Sequence, residues 1–334
     1  MDNDTILFQY NPDLSDNFIP MTDIPVDKTG CVFFGGYKTI RPDVVMREYK
    51  RLYQFKQNTN LDFSIYGFVY PVPNIFCKNL VDEQKLSVNQ AKKLLFSQMI
   101  NRKLMHRYIN QLFRMLVVPR LQDKLENKLP VDIAKRYMRN MTFVVHSYSV
   151  ITAFNLNEMT YRYMHKLGYS DAECAEIQNQ MVFIVLSPSF LLRENKSRVL
   201  NFASAADTTV LYGNQFPQTG DIQFIQDYNL LLTPCMFNNH KEIKKRSTLD
   251  IEHMTWPLLY QSNMTDTGKN TVYLLNNALY TALQSNLVSD TKSLFCKSLD
   301  DEKLFSTKVI GNNTKYTNAR IMMQSGLKRL VKIK

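Results

Sequence analysis

The sequence predicts an α/β protein with a mostly parallel central sheet flanked by helices, plus helical additions. Three observations point that way. Short strand-like runs recur between stretches of helical periodicity, the alternation that strand-helix-strand units produce. Met181-Val-Phe-Ile-Val-Leu186 is apolar at every position, as a parallel strand covered on both faces must be. Four residues of strand character, Thr142 to Val145, pass through His146, Ser147 and Tyr148 straight into a helical pattern that begins at Ser149. At 334 residues, 45% hydrophobic and 12% aromatic, the chain suits one packed domain over residues 1–334.

Thr5-Ile-Leu-Phe-Gln-Tyr10 opens the series of strands. Cys31-Val-Phe-Phe34 follows and is ended by Gly35-Gly36. Pro42 stands where the first turn of a helix tolerates it, and Val45, Tyr49, Leu52 and Phe55 form the apolar stripe of that helix. Leu61 to Tyr70 reads as a third strand, closed by Pro71 and Pro73. Ser87-Val-Asn-Gln90 is a capping box, and Leu95, Met99, Ile109, Leu112, Phe113 and Leu116 carry a long helical segment on to Pro119. A shorter helix, Val131 to Arg139, leads to the Ser147 strand. Beyond it a helix runs to Leu167 and stops at Gly168, and Ser170-Asp-Ala-Glu173 caps the next. Strands at 181–186 and Arg198 to Phe202 follow, and Leu249-Asp-Ile is expected to be the last. Residues 211–243 are then expected as an insertion near the site, and residues 270–334 as a C-terminal helical region. In that region Thr271 to Leu283 fits a helix, and the basic stretch 319–334 reads as a helix packed on the sheet.

Composition narrows the functional classes. The acidic start, Met1-Asp-Asn-Asp-Thr, lacks a signal-peptide layout, and no window holds the roughly 18 apolar residues of a membrane span. A cytoplasmic or peripheral membrane protein is expected. Five cysteines lie far apart with no C-x-x-C pair, which argues against a zinc knuckle or a disulfide framework. No metal or cofactor is expected. The net charge is +11, and twelve Lys or Arg lie between residues 92 and 139, which reads first as a solvated basic face, with an anionic membrane surface as the alternative partner. No motif of a nucleic-acid reader is visible, and nucleic acid is not an expected partner.

The chemistry is carried by Met141-Thr-Phe-Val-Val-His-Ser-Tyr-Ser149. A strand, a one-residue reversal bearing Ser, then a helix is the layout of a nucleophile elbow, which lifts the Ser hydroxyl above the sheet and aims the next backbone N–H at a developing oxyanion. The usual pattern is G-x-S-x-G; here Val145 and Ser149 occupy the glycine positions, and a Cβ at either is expected to crowd the turn. Arg198-Val-Leu-Asn-Phe-Ala-Ser-Ala-Ala-Asp207 sets an acid five residues beyond an apolar strand. Ser247-Thr-Leu-Asp-Ile-Glu-His253 sets a histidine after another. Phe33-Phe-Gly-Gly-Tyr37 stands after the second of the expected strands.

Taken in order, these segments resemble the α/β-hydrolase superfamily of serine esterases and lipases, whose triad runs Ser, Asp, His along the chain. The resemblance implies Ser147 as nucleophile, Asp207 as orienting acid and His253 as base. A hydroxyl is too weak an acid to attack an acyl carbon unless an imidazole takes its proton and a carboxylate steadies the imidazolium. It also implies an oxyanion site from the N–H of Tyr148 and one from Gly35-Gly36, with Phe34 where the family keeps a His. His240, in Phe237-Asn-Asn-His-Lys, is the alternative base; His253 is preferred because Leu249-Asp-Ile precedes it as a strand would. The expected activity is cleavage of an ester, thioester or related acyl bond, with a small acyl ester or lipid as substrate. The alternative is a catalytically inactive scaffold that serves binding or structure, which Phe34 and the glycine-poor elbow both encourage.

Overall fold

Apolar runs too short for helices but covered on both faces dictate the centre of the molecule. In the computed structural model, which describes residues 6–14, 17–36, 42–69, 102–188, 191–192, 197–207, 220–225, 228–238 and 264–284, nine strands make one sheet. They are β1 (Leu7–Tyr10), β2 (Phe18–Met21), β3 (Gly30–Phe34), β4 (Ser64–Phe68), β5 (Met141–His146), β6 (Val182–Leu186), β7 (Arg198–Ser204), β8 (Gln223–Ile225) and β9 (Leu230–Thr233). Their spatial order is β2-β1-β4-β3-β5-β6-β7-β9-β8. The six strands from β4 to β9 are mutually parallel, and an antiparallel strand or hairpin lies at each edge. Every residue of β3, β6 and β7 is buried, as a doubly covered parallel sheet requires.

Helices cover both faces. They are α1 (Met46–Thr59, entered through a 3-10 turn at Pro42–Val45), α2 (Arg102–Leu116), α3 (Val118–Leu121), α4 (Val131–Arg139), α5 (Val150–Lys166), α6 (Asp171–Gln178) and α7 (Asp266–Leu283). The two-residue period of a strand divides the core between the faces. Phe143 and Val145 of β5 join Phe34, Phe183 and the apolar sides of α2 to α6, whereas Val144 joins Tyr49 and Leu52 of α1 and Leu275 and Leu279 of α7. Phe143 stacks on Phe183 with ring centres 4.8 Å apart, and Phe34 leans against Phe143 at 5.6 Å, so three neighbouring parallel strands are locked on the first face.

Several expected boundaries hold locally and several do not. Tyr49, Leu52 and Phe55 form the buried stripe of α1. Ser170 caps α6, its hydroxyl accepting from Glu173 N–H while the Glu173 carboxylate accepts from Ser170 N–H at 2.7 Å. The strand read as Leu61 to Tyr70 is shorter, Ser64–Phe68. The β1–β2 hairpin was not expected; Pro20 within β2 is tolerated because β2 is an edge strand. The stretch 211–243 contributes β8 and β9, and the Leu230-Leu-Leu-Thr233 run of β9, buried throughout, extends the parallel sheet beside β7. The Ser87 capping box, the Leu249-Asp-Ile run and residues 285–334 lie outside the described residues. α7 begins at Asp266, where the Thr265 hydroxyl accepts from Gly268 N–H at 2.9 Å. Among the described residues no helix is long and apolar enough to cross a membrane.

The connections create one change of direction in the parallel sheet, counted among the described residues. From β3 the chain goes to β4 on one side, then returns to lay β5 on the other side of β3. The C-terminal ends of β3 and β5 therefore flank a topological switch point, the place where open parallel sheets bind ligands.

Candidate functional site

All six parallel strands end at the same edge of the sheet, and their last residues carry the candidate side chains. β3 runs into Gly35-Gly36, β5 into Ser147, β6 into Ser187 and β7 into the turn that ends at Asp207. Phe34 pairs with Val145, so Gly36 lies level with Ser147 across the switch point.

Ser147 is nearly fully buried (2% exposed) and has φ of 58°, the left-handed region. For an L-residue that conformation costs ~1–2 kcal/mol and persists only where the surroundings impose it. Here they do. The strand ahead is locked by Phe143 and Val145 in the core, and behind it a 3-10 turn, Ser147–Ser149, leads into α5, with the Val150 N–H donating to Ser147 O and Tyr148 O. A Cβ on Gly36 would lie 3.1 Å from Ser147 Cβ and 3.0 Å from His146 Nδ1, so a side chain there would force its neighbours to give by a few tenths of an ångström, and glycine lets the β3 loop approach the Ser147 turn closely. Tyr148 is half-buried, and burial raises its phenol above the usual value, so it is neutral near pH 7. The N-terminal N–H groups of a helix have no partner within the helix, and their dipoles make the start of α5 favourable for negative charge beside Ser147.

Both side chains that stand at the usual glycine positions are buried. Val145 is a fully buried core residue on the α2–α6 face. Ser149, with φ of −66°, gives its hydroxyl to the carbonyl of Gly35, a buried contact between positions 114 residues apart. Phe34, at the position where a His was of interest, is likewise fully buried between Phe68 and Phe143.

Ser187 was missed. It is fully buried with φ of 41°, and its N–H donates to Phe202 O at 2.9 Å. His146 pairs with Leu186, so two neighbouring parallel strands leave the sheet at one level through left-handed serines. The available signal was a Ser-Pro pair directly after an apolar strand.

Asp207 is fully buried at the end of a tight turn, where its N–H donates to Ser204 O at 3.1 Å and the Ser204 hydroxyl accepts from Ala206 N–H at 3.2 Å. β7 is two strands from β5, an offset of about 9–10 Å at ordinary strand spacing. That is wider than one hydrogen bond. A carboxylate so buried needs hydrogen-bond partners to stay charged.

The histidines follow β9. Cys235, Met236, Phe237 and Asn238 leave the same edge and are clamped to the start of α7. Phe237 bridges to Met264, the Asn238 amide donates to Met264 O at 3.0 Å, and Thr265 donates from its N–H to Met236 O at 3.0 Å and from its hydroxyl to Cys235 O at 2.6 Å. A Cβ on Gly268 would meet Met236 O at 2.2 Å, which measures how tightly α7 is drawn in. His240 and His253 both belong to the segment between Asn238 and Met264 and lie outside the described residues. The edge thus brings together Ser147, Tyr148, Gly35 and Gly36 in direct contact or succession, with Asp207 two strands along.

Compared with known proteins, the chain matches no family model and no curated protein.

Proposed function

We propose that this protein is a serine hydrolase of the α/β-hydrolase kind, cleaving an ester, thioester or related acyl bond. The observation that carries the reading is the buried, left-handed Ser147 at a strand-to-helix reversal, pressed against Gly36 at the switch point of the sheet. The strand order supports it. A serine follows β5, an acid follows β7 and histidines follow β9, which is the chain order Ser, Asp, His.

The topology favours His240 over His253 as base. His240 is seven residues past the end of β9 and two past Asn238, the nearer of the two histidines to β9 in sequence. His253 stands fifteen residues past Asn238 and eleven before Met264. The preference for His253 rests on Leu249-Asp-Ile as the last strand, a run outside the described residues; among the described residues the parallel strand beside β7, on the side away from β6, is β9.

In this mechanism the neutral imidazole takes the Ser147 proton as the hydroxyl oxygen bonds to the acyl carbon. The carbonyl electron pair becomes an oxyanion, held by the N–H groups of Tyr148 and Gly36 and by the start of α5. Collapse expels the alcohol or thiol, which leaves with the proton from the imidazolium. Water, deprotonated by the same imidazole, then cleaves the acyl-Ser147 and releases the acid. Asp207 orients the ring and stabilises its charged form. A small acyl ester or a lipid suits this chemistry, and a net charge of +11 suits substrate presented at an anionic surface. The second reading, an inactive binding scaffold, is favoured by Phe34, whose burial leaves no polar side chain at that position.

Hydrolysis of p-nitrophenyl butyrate by wild type, Ser147→Ala and Asp207→Asn separates the two. Loss of a triad member lowers turnover by about 10³-fold or more. Equal rates in all three proteins would leave the hydrolase reading without support.

A further inference from the structure

Ser149 occupies the second glycine position of the elbow pattern and lies at the N-cap of α5, where a serine ordinarily caps its own helix. It does not: no N–H of α5 is accepted by its side chain. The hydroxyl instead crosses to the β3 loop and donates to Gly35 O, and the side chain is 1% exposed, shielded from water.

We propose that Ser149 is a positioning residue that fixes the Gly35–Gly36 peptide for oxyanion binding, an inference that rests on the hydrolase reading. The carbonyl of Gly35 and the N–H of Gly36 belong to one planar peptide unit and point in opposite directions. Holding the first sets the direction of the second. Two glycines in succession have wide φ and ψ freedom, so a hydrogen bond to this peptide narrows the orientations open to it. A second contact limits its position: Gly36 packs so close to Ser147 and His146 that a methyl group there would stand 3.0–3.1 Å from both. Ser149 sets orientation and the Gly36 contact sets distance. The departure from glycine at position 149 is thus a gain of a hydrogen bond between the elbow and the loop that serves it.

The test uses the full chain and the variants Ser149→Ala and Ser149→Thr, with p-nitrophenyl butyrate as substrate, butylboronic acid as tetrahedral analogue and the Gly36 amide resonance as a reporter independent of turnover. Removing an entire oxyanion donor costs about 10²–10³-fold in kcat, so a misaimed one should cost about 10–100-fold. Ser149→Ala is expected to lose that factor in kcat and in boronate affinity with KM unchanged, and to shift the Gly36 resonance. Ser149→Thr, which keeps the hydroxyl, restores both. A kcat for Ser149→Ala within twofold of wild type, or an equal loss in a folded Ser149→Thr, overturns the proposal while leaving the hydrolase reading intact. If the wild type hydrolyses nothing, the hydrolase reading falls and this proposal falls with it.

Discussion

Replacing Ser147 by glycine should make the protein more stable than replacing it by alanine, although both remove the hydroxyl. Ser147 has φ of 58° and Ser149, two residues on, has φ of −66°. In the left-handed region a Cβ costs ~1–2 kcal/mol, which alanine retains and glycine removes. Against that, the greater freedom of glycine in the unfolded chain costs ~0.5–1 kcal/mol. The balance favours Ser147→Gly over Ser147→Ala by ~0.5–1 kcal/mol. At Ser149 only the second term operates, so Ser149→Gly should be less stable than Ser149→Ala by ~0.5–1 kcal/mol. Urea unfolding of the four variants at pH 7, with slopes compared as well as midpoints, reads both differences. The comparison within each pair cancels whatever the lost hydroxyl contributed. If Ser147→Gly proves less stable than Ser147→Ala, the turn at Ser147 is not held in the left-handed region and the argument for an elbow fails.

Gly36→Ala sets a methyl 3.0–3.1 Å from His146 and Ser147, and overpacking of that kind costs ~1–3 kcal/mol if it is borne as strain. A displacement of a few tenths of an ångström at Ser147 should lower kcat/KM by about tenfold, given that about 1 Å of misplacement can cost 10²-fold; unchanged kcat/KM and thermal midpoint would contradict the close approach. His240→Ala should reduce ester turnover by at least about 10³-fold while His253→Ala leaves it within a few-fold, and the reverse result would return the base to His253. Cys31 is fully buried and burial pushes its thiol up to about 12 from a usual value near 9. Between those values the folded state holds a proton that the unfolded chain releases, so this group's contribution to stability is complete below pH 9 and is lost as pH rises toward 12. At pH 8 a disulfide reagent should leave Cys31 unmodified in the native protein and modify it in urea; rapid native modification would refute its burial.

The parts of the fold that were legible in the sequence are those whose cause is local. β6 declares itself by five apolar residues in succession, α6 by its Ser170–Glu173 capping box and the reversal at Ser147 by a strand that meets a helix within three residues. β9 did not declare itself, because four residues, Leu230-Leu-Leu-Thr233, read as a strand only once β7 is present to pair with them. The choice between His253 and His240 turns on which strand precedes the histidine, and the Leu249-Asp-Ile run lies outside the described residues. β2 was obscured by Pro20, whose missing N–H matters little at an edge. At the site, the strand-to-helix reversal at Ser147 was visible, but the contact of the Ser149 hydroxyl with Gly35 O was not, because it depends on a carbonyl 114 residues earlier in the chain. Ser187 was overlooked because positive φ in a serine has no signature in composition or periodicity.

The most direct test of the central claim is covalent. Incubation with a fluorophosphonate, followed by tryptic digestion and mass spectrometry, should find one modification per chain, within the peptide from Asn140 to Arg162 that carries Ser147. The fragment spectra should assign it to Ser147, and Ser147→Ala should take up no label. Labelling of another residue, equal labelling of Ser147→Ala, or none in the folded wild type would contradict the assignment of Ser147 as a nucleophile.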